Sequence, residues 1–440
     1  MDVDVKVNGS AIYPIDVRIP GMVYASVKSS PVPGGRLKSY DFSKIKDRPG
    51  VIAAVELVQV KDKLANPDLR SGIAVVADSF YRAKTALDLM PIEWDFGSNA
   101  AYSYDKMNSQ ARDLLQQEAK HAEEVRGDPR PIISKGGKMV VGEYGRPYES
   151  HAPMSPPAAV ANVTADRVDV WSFTQNVAAT LLVAADQAKR NPKDVYVHAT
   201  YQGGAFGNGN ATDVPRQAVE ISKQIGRPVK VIWTREEDIL QDRSRPPIWA
   251  RFQAVLDDKG LPAAMISRSV GETQNPDYAD RGIANIAYQV PHFRYERHIV
   301  PSNIPVGANR APGNNSNGFT TEQFVDEMAL AGGWDPLEWR LKMTEGNERW
   351  QRVLLKLKEI SGFTTKLPKG KGMGIAVVES HGATVGACAT VEVTRRGALT
   401  IEKILIVSNT GWVINPRAAT DQVKRSEEHT SELQSRETIS

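Results

Sequence analysis

Residues 203–209 are the part of the sequence best suited to hold an anion. They read GGAFGNG and lie between a β-rich segment, Val195–Ala199, and a helical segment that begins near Val214. Glycine tolerates positive φ and has no side chain, so backbone N–H groups here can approach a bound anion closely. A phosphate-bearing cofactor fits this loop, although a structural turn without a ligand explains the same glycines and is the commoner case.

Two nucleotide-binding motifs are excluded at this loop. Thr212 stands where the third glycine of the dinucleotide fingerprint belongs, and the sequence contains no Gly-Lys-Ser/Thr phosphate loop. An unrelated enzyme that uses the loop as a nucleotide cradle would need a pair of carboxylates for Mg²⁺, and Asp213 is the only acid nearby. A nucleotide-dependent enzyme is therefore disfavoured.

Two further polar stretches carry groups that can contact an anionic ligand. In residues 308–318, Arg310 is the one cation among small and glycine residues, and its guanidinium can pair with phosphate or with a developing oxyanion. In residues 173–176, the amide of Gln175 can donate to a ligand oxygen. The alternatives stay open: an exposed loop arginine at 310, and a helix cap by Asn176 beside a solvated Gln175.

Other catalytic chemistry is thinly represented. The seven histidines include no His-Glu-x-x-His and no pair with metal-ligand spacing, and there is no Gly-x-Ser-x-Gly elbow, which disfavours hydrolases and zinc enzymes. His151 and His381 are isolated, so a packed or solvated role is expected for each. The single cysteine, Cys388, excludes an intramolecular disulfide, a four-thiolate zinc site and an iron–sulfur cluster held by this chain alone.

The composition is typical of a folded protein whose positive and negative charges nearly balance. Hydrophobic residues make up 41% and charged residues 24% of the 440 residues. The 55 basic residues are interspersed with 52 acidic ones, which disfavours nucleic acid as a partner. The sequence shows no signal peptide and no apolar run that would span a membrane, so we expect a soluble protein of the cytoplasm or periplasm.

Local patterns predict the elements that position these residues. From residue 141 onward strands alternate with helices, and Val214, Ala218 and Ile221 share one helical face that Gly226 ends. Residues 257–260 and 395–397 predict hairpin turns.

Helix starts are predicted from capping residues. Ser79 and Asp335 are predicted N-caps, and Thr320 with Gln323 predicts a capping box at the start of a helix. The charged stretch from 107 to 125 is predicted to be helical, inside a polar connector over residues 99–140.

Taken in order, these pieces resemble the molybdopterin-binding large subunit of the xanthine dehydrogenase/aldehyde oxidase family, most closely the branch typified by the isoquinoline 1-oxidoreductase beta subunit. The resemblance covers nearly the whole chain to about residue 424. It rests on GSAIYPIDVRIPGMVYASV at 9–27, YESHAPMSP at 148–156, SFTQN at 172–176, QGGAFG at 202–207, VKVIWTREED at 229–238, Arg310, EQFVDEMA at 322–329 and SNTGWVINP at 408–416.

The resemblance implies an α+β fold with several domains. Residues 1–98 would form a hammerhead α+β domain, and residues 99–140 a connector. Mixed α/β molybdenum-cofactor-binding domains would follow, the first over residues 141–345 and the incomplete start of a second over residues 346–424.

The resemblance also implies a cofactor and its contacts. The cofactor would be molybdenum–molybdopterin, in the cytosine dinucleotide form, whose metal is held by the pterin dithiolene and by oxo, sulfido and hydroxyl ligands, so no protein metal ligand is expected. Gln175 would approach the apical oxo ligand, and Arg310 would stabilise negative charge beside the metal, which makes both catalytic and cofactor-binding residues. The backbone amides at the cofactor would come from Gly203, Gly204, Ala205, Phe206 and Gly207.

The implied reaction is the hydroxylation of a small molecule. The carbon attacked would lie next to nitrogen in an N-heterocycle or be an aldehyde carbonyl carbon, and water would supply the oxygen. Electrons would leave through a separate [2Fe–2S] subunit to an acceptor such as a cytochrome. No iron–sulfur cluster or flavin is expected on this chain, in agreement with its single cysteine.

Departures from the family pattern predict a fragment. The family's Gly-Gly-Gly-Phe-Gly carries alanine at 205, and its glutamate base has no counterpart before residue 424, so the chain alone is expected to be inactive. In this branch a cofactor-binding portion precedes the hammerhead domain, so we expect that portion to be absent from this chain. Residues 425–435 resemble translated sequencing-adapter DNA, so a non-native tail is expected over 425–440.

One geometric expectation separates the enzyme from its alternatives. If the chain is part of a molybdenum hydroxylase, the glycine loop, Gln175 and Arg310 converge on one polar cleft between domains, although long stretches of chain separate them. The main alternative is a non-catalytic assembly or binding module that keeps the fold and holds no cofactor.

Overall fold

The chain is organised as two compact units, each built from several separate stretches of sequence. The structure is a computed structural model that describes residues 3–58, 70–272, 279–302 and 304–424, and the predicted tail over 425–440 lies outside the described residues. The first unit takes the described residues of 1–103, 149–245 and 303–310, and the second unit takes those of 104–148, 246–302 and 311–440. The glycine loop, Gln175 and Arg310 therefore all belong to the first unit.

Strands and helices occur along both units. The strands are β1 Val23–Ser29, β2 Arg36–Tyr40, β3 Val51–Leu57, β4 Gly72–Ala77, β5 Ile92–Asp95, β6 His121–Arg126, β7 Lys138–Arg146, β8 Ala158–Val163, β9 Val168–Ser172, β10 Val195–Ala199, β11 Val229–Ile232, β12 Ile248–Leu256, β13 Pro262–Gly271, β14 His292–Ile299, β15 Lys371–Ser380, β16 Ala383–Val393 and β17 Leu399–Asn409. The α-helices are α1 Val3–Val7, α2 Phe80–Leu89, α3 Tyr104–Leu115, α4 Arg130–Lys135, α5 Val177–Ala188, α6 Asp213–Ile225, α7 Arg235–Gln241, α8 Asn314–Gly332, α9 Pro336–Met343, α10 Glu348–Ser361 and α11 Pro416–Lys424. The predicted mixture of helices and sheets is confirmed.

A seven-stranded sheet forms the centre of the first unit. Its strand order is β10-β9-β8-β11-β1-β4-β3. The pairs β1–β11 and β9–β10 are parallel, and the other pairs of neighbours are antiparallel. Every residue of β4 is buried, which is typical of a strand that is covered on both faces and explains its continuous apolar sequence.

Helix α6, which follows the glycine loop, packs on β8, β11 and β9. Its predicted face is confirmed, because Val214, Ala218 and Ile221 are buried, and Gly226 ends the helix in the left-handed region at φ 68°. The strand beneath it, β8, contributes small alanine side chains that are buried. This packing fixes where α6 begins, and the glycine loop must reach that point from the end of β10.

The N-terminal strands join this same sheet. β1, β3 and β4 lie side by side at one end of it, α2 packs on β1 and β4, and β2 and β5 form a separate two-stranded ribbon. Ser79 caps α2 as predicted, since its side chain accepts a hydrogen bond from the backbone N–H of Arg82. The hammerhead assignment and the domain boundaries at 98, 140 and 345 stay predictions.

The second unit is built on two further sheets. A five-stranded sheet has the order β6-β14-β13-β12-β7, and a three-stranded sheet has the order β15-β16-β17. Phe252 and Phe324 stack at 4.9 Å between ring centroids in its core, and Trp339 is fully buried there. The predicted hairpin turns at 257–260 and 395–397 and the predicted cap by Asp335 are confirmed.

Two local predictions in the second unit are wrong. The stretch predicted as helix up to residue 125 ends its helix at Leu115 and continues as β6, because His121–Arg126 pairs with β14 in the sheet. The helix predicted to start at Thr320 starts at Asn314, and Thr320 lies inside it with its hydroxyl bonded to the carbonyl of Asn317. Within the described residues, no helix combines the length and the apolar character that a membrane crossing needs.

Candidate functional site

The glycine loop connects the end of β10 to the start of α6 through a backbone that needs glycine. φ is 96° at Gly204 and 119° at Gly207, and Phe206 also lies in the left-handed region at 52°. Ala205 does not have a positive φ, so its methyl group, the departure from the family pattern, is compatible with the backbone there.

The loop is packed tightly against two neighbouring segments of the first unit. A side chain at Gly203 would collide with the hydroxyl of Ser155, whose backbone N–H donates to the carbonyl of Gly203. A side chain at Gly207 would overlap the backbone carbonyl of Ala308. The glycines are therefore required by close approach as well as by conformation.

Gln175 is tied to the loop through its side chain. Its Oε1 accepts hydrogen bonds from the backbone N–H groups of Gly207, at 3.2 Å, and Gly209, at 3.1 Å. Since both partners are donors, the amide oxygen must face them, and the amide nitrogen is the group left to donate elsewhere. Asn176 caps α5, because its side chain accepts a hydrogen bond from the N–H of Ala179. The predicted helix cap is therefore present, and the neighbouring Gln175 is bonded to the loop.

Four successive N–H groups of the loop have no acceptor among the described residues. Within the described part of the chain, the backbone N–H groups of Gly203, Gly204, Ala205 and Phe206 donate to no acceptor. Buried backbone donors are almost always paired; Ala205 is only 6% exposed, whereas Gly203, Gly204 and Phe206 are partly exposed. Donors in this state fit an oxygen-rich or anionic ligand that lies against the loop.

Arg310 reaches the same loop through its backbone. Its N–H donates to the carbonyl of Phe206 at 2.7 Å, and its side chain is exposed. The structure therefore brings together the three predicted segments, the glycine loop, Gln175 and Arg310, within one unit. Whether Gln175 and Arg310 act on a ligand stays a prediction.

Two residues that support this arrangement were not singled out as site residues from the sequence. Arg245 is buried and pairs with Glu149, and its Nη2 donates to both the carbonyl and the side-chain oxygen of Asn309 at 3.1 Å. His151 is buried against Asp242. Only the clustering of arginines in the segment DRSRPP, at 242–247, pointed towards Arg245 in the sequence.

Behind the loop there is little room for a ligand. A cavity lined by Phe173, Asn208 and Trp233 has a volume of about 20 Å³, which is enough for about one water molecule. Asp213, the one acid near the loop, is paired with Arg243 at 3.2 Å. The ion pair with Arg243 further disfavours a role of Asp213 in binding Mg²⁺.

Buried carboxyl groups lie on helix α7 of the same unit. Burial raises the pKa of Glu237 to about 7 and that of Asp238 to about 6. Glu237 accepts a hydrogen bond from the N–H of Ser29 in β1. The other isolated histidine, His381, is exposed in the second unit, next to Arg281 and Ser380.

Comparisons of this chain with known proteins agree on one protein family. The family described as "Molybdopterin cofactor-binding domain" matches residues 113–344, a little over half of the chain. The chain is 24% identical to the beta subunit of the isoquinoline 1-oxidoreductase of Brevundimonas diminuta, over 94% of this chain and 55% of that protein. It is also 24% identical to a subunit of the nicotinate dehydrogenase of Pseudomonas putida, over 96% of this chain and 38% of that protein.

Solved structures agree at the level of the fold. The quinoline 2-oxidoreductase of Pseudomonas putida 86 superposes with a TM-score of 0.67 at 19% identity, over 93% of this chain and 62% of that chain. The aldehyde oxidoreductase of Desulfovibrio desulfuricans gives a TM-score of 0.69 at 18% identity, over 91% of this chain and 52% of that chain. The chain thus spans about half the length of these relatives, and it belongs to the molybdopterin-binding large subunits of the xanthine dehydrogenase family.

Proposed function

We propose that the loop of residues 203–209 holds a molybdenum–molybdopterin cofactor, in its cytosine dinucleotide form, within a large subunit that hydroxylates N-heterocycles or aldehydes. The observation that carries the proposal is the run of N–H groups at 203–206 that lack an acceptor in the described chain, beside Gln175 and Arg310. The names of the relatives, which include an isoquinoline oxidoreductase and aldehyde oxidoreductases, support the two substrate classes.

The residues of the loop fit the proposed group chemically. Main-chain donors suit the oxygen-rich pterin and the oxygens around the metal, and they keep a fixed direction because the loop is packed against residues 155 and 308. The metal itself would be held by the pterin, so the site requires no cluster of histidine, cysteine or carboxylate ligands.

Gln175 and Arg310 have different roles in this proposal. The Oε1 atom of Gln175 is occupied by Gly207 and Gly209, so its amide nitrogen is the donor offered to a cofactor oxygen. Arg310 contributes a guanidinium that stabilises negative charge on the substrate as the transition state forms. Its position follows from its backbone hydrogen bond to Phe206.

The redox chemistry belongs to the cofactor and to a partner. When bound, the cofactor supplies a two-electron hydroxylation with water as the oxygen source, and the electrons pass to a separate [2Fe–2S] subunit and then to an acceptor such as a cytochrome. The resemblance provides no counterpart of the family's glutamate base in residues 346–424. We therefore propose that the base is supplied from outside this chain and that the chain alone does not turn over substrate.

Metal analysis tests the cofactor directly. The protein would be expressed from the complete gene, together with an iron–sulfur partner, in a host that makes molybdopterin, and its molybdenum content measured by mass spectrometry. We expect near-stoichiometric molybdenum in the wild type and a strong loss in Gly207→Ala, because a side chain there displaces residue 308. Gly226→Ala is the matched control, since φ is also positive at Gly226 but nothing lies within 4 Å. A wild-type protein without molybdenum would contradict the proposal and favour the non-catalytic assembly module.

Kinetics of the same holoprotein test Arg310. Arg310→Ala should lower kcat/KM by about 10²–10³-fold without lowering the molybdenum content, the range expected for the loss of one preorganised charge-stabilising donor. Arg352→Ala, at an exposed arginine of α10 in the second unit, should leave kcat/KM unchanged. A loss of less than about threefold in Arg310→Ala would remove Arg310 from the reaction.

A further inference from the structure

His151 occupies a buried position in which both of its ring nitrogens have partners. Its side chain has no exposed surface, and the same is true of Asp242. Nδ1 lies 2.9 and 3.0 Å from the two carboxylate oxygens of Asp242, which also accepts the backbone N–H of His151 at 2.7 Å. Nε2 lies 2.9 Å from the backbone carbonyl oxygen of Ala308. The imidazole therefore links the end of α7 to the segment that leads into Arg310.

The direction of the second hydrogen bond follows from the chemistry of its partners. A backbone carbonyl can only accept, so Nε2 of His151 must carry a proton and donate it to Ala308. Asp242 holds the opposite edge of the ring, which fixes the orientation of the imidazole. Asp242 thus holds the His151 ring in the orientation in which Nε2 donates to the carbonyl oxygen of Ala308.

That carbonyl lies at the closest contact between the Arg310 segment and the glycine loop. The oxygen of Ala308 is the atom that a side chain at Gly207 would overlap. Two residues later, the N–H of Arg310 donates to the carbonyl of Phe206. His151 thus fixes one end of the contact by which Arg310 is attached to the loop.

Backbone strain accumulates around this contact. In the described residues, five non-glycine residues have positive φ, and three of them are Ala152, Phe206 and Ala311, at 37°, 52° and 55°. Ala152 directly follows His151, the carbonyl of Phe206 accepts the hydrogen bond from Arg310, and Ala311 directly follows Arg310. Such conformations cost about 1–3 kcal/mol each and persist only where the surrounding structure enforces them. The clustering indicates that the fold sustains strain to keep these segments in place.

We propose that His151, oriented by Asp242, is a positioning residue that locks the Ala308 carbonyl and thereby places Arg310 at the glycine loop. The contact itself stands on the structure of the first unit, and only its catalytic consequence rests on the proposed function. His151 contacts neither substrate nor cofactor in this proposal and acts entirely through residues 308–310.

Two substitutions at His151 separate its two hydrogen bonds. In His151→Gln the terminal amide nitrogen stands near the place of Nε2, so donation to Ala308 can be retained. In His151→Asn the amide reaches only the place of Nδ1, so the contact with Asp242 can be retained while donation to Ala308 is lost. Hydrogen exchange of the Arg310 amide, followed by mass spectrometry on a peptide that spans residues 304–313, reports the result in the 440-residue chain without cofactor.

The two variants are expected to differ. In His151→Asn the Arg310 amide should exchange about tenfold faster or more, the factor that corresponds to one lost hydrogen bond, whereas His151→Gln should stay near the wild-type rate. Amides of α6 in the same unit are the internal control and should not change. Equal rates at Arg310 in the two variants, or faster exchange throughout α6 with no excess at Arg310, would overturn the proposal.

A milder variant and a kinetic measurement complete the test. Asp242→Asn keeps the shape of the carboxylate, so it serves as the test if a histidine variant does not fold. It should accelerate Arg310 exchange by an intermediate factor, and an unchanged rate would also overturn the proposal. In the holoprotein, His151→Asn should lower kcat more than it raises KM, and His151→Gln should restore kcat. A local exchange effect without the kinetic effect would refute the proposed role of Arg310 while leaving the positioning contact intact.

Discussion

The first and second units of the molecule each contain a prominent arginine, and the two arginines have opposite surroundings. Arg340 in the second unit is fully buried, and its guanidinium donates to Glu322 at 3.0 Å and to Asp326 at 2.6 Å, while Tyr288 donates to Glu322 at 2.6 Å. In the first unit, Arg310 is exposed beside a loop whose N–H groups at 203–206 have no acceptor in the described chain. The polar groups around Arg340 are matched within the protein and stabilise the second unit, whereas the donors at 203–206 are the groups that, in our proposal, contact a ligand.

This difference separates two kinds of family motif. EQFVDEMA, at 322–329, supports the family assignment as well as QGGAFG does, yet its carboxylates Glu322 and Asp326 are paired with Arg340 inside the second unit. A second buried group of charges in the second unit is paired in the same way. Burial raises the pKa of Glu296, but hydrogen bonds from Arg268 and Arg294 lower it below its ordinary value. Motifs of equal diagnostic value therefore serve stability in one unit and, in our proposal, ligand binding in the other.

The largest expected effect is the loss of the buried Arg340. Arg340→Leu leaves the buried carboxylate of Glu322 and the partly exposed carboxylate of Asp326 without their cation, so we expect the second unit to lose about 3–5 kcal/mol of its free energy of unfolding. Chemical denaturation followed by circular dichroism measures this loss. Arg352→Ala, which removes an exposed pair with Glu348, is the matched control and should change stability by less than about 0.5 kcal/mol. Comparable losses in the two variants would contradict a structural role for the buried network.

The next effect concerns the strained loop. Gly207→Ala introduces a side chain at φ 119° and against the carbonyl of Ala308, so it should destabilise the first unit by at least about 1–3 kcal/mol. In Gly226→Ala the new side chain meets no neighbouring atom and only the positive φ is unfavourable, so the loss of stability should be smaller, about 1 kcal/mol. Thermal unfolding of both variants measures the difference. Equal melting temperatures would show that the loop and residue 308 are not in contact.

The buried carboxyl of Glu237 should make the stability of the first unit depend on pH. Its folded-state pKa of about 7 lies above the model-peptide value of about 4.3, so the folded state binds more protons than the unfolded state between these values. Stability contributed by the neutral form is therefore complete below about pH 4.3 and is lost as the pH rises through 7, at about 1.4 kcal/mol per unit of pKa difference.

Glu237→Gln should flatten this profile by raising the melting temperature at pH 8 relative to pH 5. Glu236→Gln, at the exposed neighbour on the same helix, should keep the wild-type slope. Melting curves recorded from pH 4 to 8 decide between them. An unchanged slope in Glu237→Gln would show that the Glu237 carboxyl does not cause the pH dependence of stability.

The smallest effect distinguishes a cap from a ligand contact. Asn176→Ala removes the N-cap of α5 and should cost about 1 kcal/mol of stability, but it should leave the molybdenum content unchanged. Gln175→Leu, one residue earlier, removes the acceptor of the Gly207 and Gly209 N–H groups, so it should also cost about 1 kcal/mol of stability but, unlike Asn176→Ala, it should lower the molybdenum content. The reverse pattern, with molybdenum lost in Asn176→Ala alone, would make the cap the functional group.

The sequence predicted the features that depend on neighbouring residues. The caps by Ser79 and Asp335 and the helix end at Gly226 depend only on a few consecutive residues, so they could be predicted. The supports of the site could not be predicted in the same way: Arg245 meets residues 309 and 310 across 64 and 65 positions, and His151 meets Ala308 across 157. The strand β6 was missed for the same reason, since its partner β14 lies far along the chain.

Protection of the loop amides is the most direct test of cofactor binding at residues 203–206. Hydrogen exchange of a peptide over residues 202–207 would be compared between the molybdenum-loaded protein and the same protein without cofactor, with a peptide over residues 322–329 as the reference. We predict that exchange in 202–207 slows by about tenfold or more on loading while the reference is unchanged. Loaded protein in which 202–207 exchanges as fast as in the cofactor-free form would contradict binding at these amides.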